Sequence, residues 1–217
     1  MPWLVAAPPR PVRSRIGAVL ALLAVGTAAA VALEAQSGEK EAIAACERRL
    51  CTLLQQKSAA GEDLRCELSK TWARSVIKDA EQPTLKWGFG DARCTVRIHI
   101  PRALIAAAMT ARGQHHKLWV PPHTAACVVE IDGAPHTVTA TLAPKLDLKD
   151  GKVEKVWVNL TGLEGPPAIK ATLWTAAKLA DNVGLFQWPM LKAINRFIAT
   201  TCPHKYPLAA ASGPKPQ

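Results

Sequence analysis

Apolar and charged positions alternate from residue 64 to residue 68, with Leu64, Cys66 and Leu68 set against Arg65 and Glu67, the period of a strand that buries one face. Residues 94–100 repeat the pattern: Cys94, Val96, Ile98 and Ile100 fall on one side, Thr95, Arg97 and His99 on the other. Before the first strand the spacing changes. Ile43, Leu50, Leu53 and Leu54 share one side of a helix predicted over residues 39–57, with Glu39 and Glu41 in its first turn and Ser58-Ala59-Ala60-Gly61 at its end. A short helix is expected within residues 71–80. Another opens at Pro101 and stops before Gly113.

The second half of the chain is punctuated by turns. Pro121-Pro122 separates a short strand containing Trp119 from the apolar run at Cys127. Asp132-Gly133 and Asp150-Gly151 each stand between strand-like runs, and Asp-Gly suits hairpin turns whose two central residues take positive φ. They predict a three-stranded antiparallel meander over residues 125–131, 134–148 and 153–163, with a bulge or an edge position at Pro144. Gly165-Pro166-Pro167 then begins a helix to about Leu179. A last helix from Pro189 places Leu191, Ile194 and Ile198 on one face, with Cys202 continuing it. The fold class is α+β: an antiparallel hairpin sheet covered by N-terminal and C-terminal helices and stabilised by disulfides.

The N-terminus decides the compartment. Arg10, Arg13 and Arg15 precede a charge-free stretch from residue 16 to residue 33, whose strongest part, residues 16–25, has the length of a signal-peptide core. Ala30-Val31-Ala32 supplies the small-x-small pattern of a cleavage site. The expectation is an export signal over residues 1–32, cut after Ala32; the other reading is an uncleaved inner-membrane anchor with the domain outside the cytoplasm. No twin-arginine pair is present. Ile43-Ala44-Ala45-Cys46 looks like a lipidation box, but Glu34, Glu39, Lys40 and Glu41 separate it from the apolar run. Beyond the signal, residues 33–38 read as a linker, 39–207 as one α+β domain and 208–217 as a disordered tail. The location expected is periplasmic or secreted.

Export turns the six cysteines, Cys46, Cys51, Cys66, Cys94, Cys127 and Cys202, into a disulfide framework. No Cys-x-x-Cys knuckle exists for a metal, and no cofactor is implied. Cys46 and Cys51 lie five residues apart on a helix, which turns their side chains about 140° from each other and sets their Cα atoms about 8 Å apart. That is too far for a mutual bridge. Distances along helix and returning strand suggest Cys51 with Cys66; Cys94 with Cys127 then joins two apolar strand faces, and Cys46 with Cys202 ties the first helix to the last.

Charge narrows the partners. The chain carries a formal charge of +10, and the segment 1–32 contributes three of its arginines. Lys145, Asp147, Lys149, Asp150, Lys152, Glu154 and Lys155 are interleaved, which reads as a solvated mixed face and argues against a nucleic-acid partner. A protein, lipid or cell-wall partner fits, including peripheral contact with an anionic membrane surface.

Catalytic motifs are absent: no serine elbow, His-Glu-x-x-His, phosphate loop or calcium loop occurs. His115, His116 and His123 flank Trp119, but neighbours on a strand point to opposite faces, so no metal site is expected. His99, near Asp91 or Arg97, is the residue a dispersed hydrolase site would use. Phe186, Trp188, Leu191, Lys192 and Arg196 form an interface candidate, large apolar side chains beside cations; the same segment can also plug its own core. The reading of function is an exported, non-enzymatic envelope protein with a binding or structural role, and its alternative an envelope hydrolase with a site spread over loops. The combination resembles envelope proteins of Gram-negative bacteria in style, a likeness that carries no site residue.

Overall fold

The computed structural model describes residues 33, 35–79, 86–184 and 187–208. The export segment 1–32, the tail from residue 209 and the interface candidate Phe186 lie outside the described residues. Helix α1 (Glu39–Gln56) leads into β1 (Leu64–Trp72), α2 (Arg74–Asp79), β2 (Ala92–Ile100), α3 (Arg102–Thr110), β3 (His115–Trp119), β4 (His123–Ile131), β5 (Ala134–Leu142), β6 (Lys145–Lys149), β7 (Lys152–Trp157) and β8 (Leu160–Glu164). Helix α4 (Pro167–Lys178) continues into a π turn, Leu179–Val183, and α5 (Gln187–Arg196) continues through a second, Phe197–Thr201, into α6 (Cys202–Lys205). All strand pairs are antiparallel, and they make two sheets, one ordered β1-β2-β4-β5-β8 and the other β3-β6-β7.

The α+β class stands, but the expected meander divides between the two sheets. Residues 134–149 and 152–164 form one long hairpin that breaks at Ala143-Pro144 and at Val158-Asn159, so β5 pairs β8 in the first sheet while β6 pairs β7 in the second. Proline cannot donate to a ladder, so pairing stops at Pro144. Asn159 at the facing corner takes a positive φ of 49°. The backbone groups freed there are met individually. Asp181 in the first π turn accepts from Val158 N–H at 2.6 Å and Asn159 N–H at 2.8 Å, and the Asn159 amide donates to Ala143 C=O at 2.8 Å. Both Asp-Gly turns behave as expected: φ is 51° and 79° at Asp132 and Gly133, 52° and 78° at Asp150 and Gly151.

Helices cover one face of the five-stranded sheet. Cys46, Leu50, Leu53 and Leu54 of α1, with Ile105 and Met109 of α3, pack on Leu64, Cys66, Ile98 and Ile100, and on Leu148 and Val153 of the smaller sheet. Ile169 of α4 sits fully buried over Val129 and Val138 at the other end. The carboxylate of Glu39, 6 % exposed, joins α1 to the sheet edge: it accepts from Gln36 N–H, Thr71 N–H and the Thr71 hydroxyl at 3.1, 3.0 and 2.6 Å. The Thr71 hydroxyl is the main cause that holds its pKa below the usual glutamate value, against the opposing effect of burial.

All six cysteines are bridged, with the pairs Cys46–Cys66, Cys51–Cys202 and Cys94–Cys127 at Cα separations of 5.8, 5.1 and 4.0 Å. Cys94–Cys127 is the expected pair, on directly facing positions of β2 and β4. The other two are exchanged relative to the sequence expectation, and helix rotation explains why. Cys46 precedes Leu50 by four residues and Leu53 by seven, so it lies in the apolar stripe that faces Cys66. Cys51 is turned about 140° from Cys46 and meets α6 instead. Such bridges belong to chains matured in an oxidising compartment, consistent with an extracellular or secreted protein. Among the described residues, no helix is long and apolar enough to cross a membrane.

Candidate binding surface

The smaller sheet turns Leu118, Leu146, Leu148 and Val153 to the core. The period of two therefore sends their neighbours outward. The register lines these neighbours up across the three strands: Trp119 faces Lys145, which faces Trp157; Lys117 faces Asp147, which faces Lys155; His115 faces Lys149, which faces Lys152. A register shift opposite Asp147 and Leu148 leaves Glu154 and Lys155 both exposed between the buried Val153 and Val156. The face thus holds five lysines against two carboxylates, an excess of three positive charges. His115 bonds Asp147 at 3.0 Å and lies 3.8 Å from Glu154.

Lysine and tryptophan are coupled on this face. The Lys145 ammonium lies 4.2 Å from the centre of the Trp119 ring, and Lys155 lies 4.8 Å from that of Trp157. Trp119 is 57 % exposed. Beside it opens a notch of about 220 Å³ lined by Lys117, Trp119, Lys145, Leu146, Trp157, Asn159 and Asp181. The Asp181 carboxylate there is already committed to the corner amides.

Helix α5 closes the free edge of this sheet. The Asn195 side chain donates to Val153 C=O and accepts from Val153 N–H, both at 2.8 Å, in place of a missing strand. Helix α5 packs along β7 with Asn195 fixed at Val153, and Asp181, in the π turn before it, binds at the Val158 end of the same strand. Trp188, in the first turn of α5, is 70 % exposed, with Lys192 5.1 Å from its ring centre. Of the interface candidates, Trp188, Lys192 and Arg196 face solvent, whereas Leu191 packs into the core beside Ile194 and Ile198.

A second candidate lies on the uncovered face of the larger sheet. The β2–β4 ladder stops at the pair Val96 and Ala125, and His99 N–H then donates to His123 Nε2 at 2.8 Å, an atom that also lies 3.1 Å from His99 C=O. His99 Nε2 bonds Asp63 at 2.8 Å, and Asp63 also accepts Arg102 N–H at 2.9 Å. These bonds, the one from His99 foremost, hold the Asp63 carboxyl below the ordinary carboxylate range. A solvent-open depression of about 510 Å³ collects His99, His123, Thr95, Thr124, Arg97 and Glu67. The partner is Asp63, not the expected Asp91 or Arg97: Asp91, at the far end of β2, accepts from Arg74 N–H, and Arg97 pairs with Glu67. Among the described residues, no hydroxyl or thiol bonds the His99 ring, so the pair orients a base without presenting a nucleophile to it.

Compared with protein-family models, curated proteins and solved structures, the chain matches none of them. Sequence reasoning read the lysines of residues 145–155 as a mixed face, weighed Trp119 only as the neighbour of three histidines and left Lys117 aside. The signal was their period of two: Lys117 with Trp119, Lys145 with Asp147 and Lys149, Lys155 with Trp157.

Proposed function

We propose that the protein is an exported, non-enzymatic component of the cell envelope, periplasmic or secreted, which binds an anionic partner through the outer face of its three-stranded sheet. The observation that carries this reading is the cross-strand row Trp119, Lys145 and Trp157, backed by Lys117, Lys149, Lys152 and Lys155. Exposed tryptophan offers contact area at little entropic cost, and a cluster of lysines raises the local concentration of anions. Retention on an immobilised sulfated polysaccharide tests it. The variant K117Q/K149Q/K155Q should elute at much lower salt than a control, K40Q/K78Q/K178Q, that removes the same charge from exposed positions elsewhere. Equal elution of the two would discard the reading.

The hydrolase reading keeps one supporting observation, the His99–Asp63 pair, whose histidine lines an open depression. A panel of fluorogenic esters and phosphoesters, assayed with the wild type and H99A, tests it: turnover that disappears in H99A would favour the enzyme over the binding module.

A further inference from the structure

We infer that the partner of the Lys/Trp face is an anionic phospholipid bilayer, with Trp119 and Trp188 set at the headgroup level and the lysines of β3, β6 and β7 against lipid phosphates. The inference rests on the reading of that face as the binding surface and names what it binds. Three lines of argument favour a bilayer over a soluble polymer.

Charge complementarity comes first. Five lysines project from three strands spaced about 4.8 Å apart, a broad patch suited to a planar array of phosphates. A polymer would be followed better by a single line of cations along a groove. Asp147 and Glu154 lower the density, yet five lysines against these two carboxylates leave an excess of three positive charges. The second line concerns the rings. Tryptophan with one apolar and one polar side settles at the boundary between headgroups and hydrocarbon, and Trp119 and Trp188 are the two most exposed indoles of the described residues, each with a lysine beside its ring. The third separates lipid from sugar or nucleotide. A pyranose or a base would stack on the flat of a ring, and a lysine takes one flat of each, Lys145 on Trp119 and Lys192 on Trp188, at 4.2 and 5.1 Å. At a bilayer the ring edge enters while the ammonium above it reaches a phosphate, so the arrangement need not be undone.

Sedimentation of the exported protein with vesicles decides the matter, using phosphatidylcholine alone or mixed with an equal share of phosphatidylglycerol, at low and at physiological salt. The wild type should sediment only with the mixed vesicles, and less as salt rises. K117Q/K149Q/K155Q should lower the partition coefficient about a hundredfold at low salt, about fivefold per lysine. In W119S/W188S the quenching of tryptophan fluorescence by brominated lipid should fall sharply. All five positions are exposed, so unchanged thermal midpoints will show that the variants fold. Variants that sediment like the wild type overturn the proposal. If the wild type is retained by sulfated polysaccharide yet ignores the mixed vesicles, the lipid assignment is overturned while the anion-binding reading survives; failure in both assays removes both.

Discussion

Severing the Cys51–Cys202 bridge, with both residues changed to alanine, should destabilise the protein more than severing either of the others. A bridge restricts the unfolded chain by an amount that grows with the logarithm of the ring it closes. The three bridges span separations of 151, 33 and 20 residues for Cys51–Cys202, Cys94–Cys127 and Cys46–Cys66. The chain-entropy relation converts these to about 5, 4 and 3 kcal/mol at 25 °C. With the other two bridges intact, the shortest path around the long ring falls to about 110 residues, which removes only about 0.3 kcal/mol. For a domain of this size each kcal/mol moves the midpoint by about 2–4 °C. The Cys51/Cys202 variant should then melt about 10–20 °C below the wild type and the Cys46/Cys66 variant about 6–12 °C below. Cys51 and Cys202 are both fully buried, so the void left by their sulfur atoms adds to the same side. Scanning calorimetry of the three double variants under non-reducing conditions gives the ranking. A larger loss for Cys46/Cys66 than for Cys51/Cys202 would refute the argument that closing the longest ring dominates.

Two further predictions concern polar clasps. Glu39→Gln should lower stability by about 1.5 kcal/mol at pH 7, since a charged acceptor gives way to a neutral one. The folded pKa of Glu39 lies below its unfolded value of about 4.3, so its contribution is complete above that pH and lost as pH falls through the folded value; the gap between wild type and variant, read by thermal scans across pH, should narrow progressively once pH falls below the unfolded value. A gap that persists in acid would show that the carboxylate charge is immaterial. Asn195→Ala removes both partners of Val153 and should cost about 2 kcal/mol. Asn195→Asp, which keeps only the acceptor and sets it against Val153 C=O, should recover none of that loss in urea titration.

Local chemistry was legible in the sequence wherever a short-range rule decides the outcome. The alternation in residues 94–100 became β2, the two Asp-Gly pairs became hairpin turns, and the stripe through Leu50 and Leu53 became the buried side of α1. The division into two sheets was not legible, because Pro144 announces a break without saying where the chain goes next. The answer lies with Asp181 and Asn159, whose side chains satisfy the corner from outside the hairpin. The exchange of two disulfides had a readable cause: Cys46 shares the stripe of Leu50 and Leu53, and Cys51 does not. Distance along the elements was weighed above direction around the helix. The Lys/Trp face escaped for a different reason. Each strand shows only two or three of its residues, and pairing register alone, absent from a linear reading, sets Trp119, Lys145 and Trp157 side by side.

The linkage of the first two bridges bears on how the chain matures. Cys51 lies inside the Cys46–Cys66 ring in sequence, while its partner lies far outside it. A chain emerging from its N-terminus at about 5–20 residues per second exposes Cys46, Cys51 and Cys66 together and delivers Cys202 only about 8–30 s later. Throughout that interval Cys51 is a free thiol beside two others, and an oxidant acting in order of appearance joins the wrong pair as readily as the right one. Thiol–disulfide exchange, a matter of seconds to hours, is what corrects such an error. A host that oxidises thiols without reshuffling them should therefore accumulate full-length chains in which Cys202 is left without its partner, which peptide mapping under non-reducing conditions would reveal.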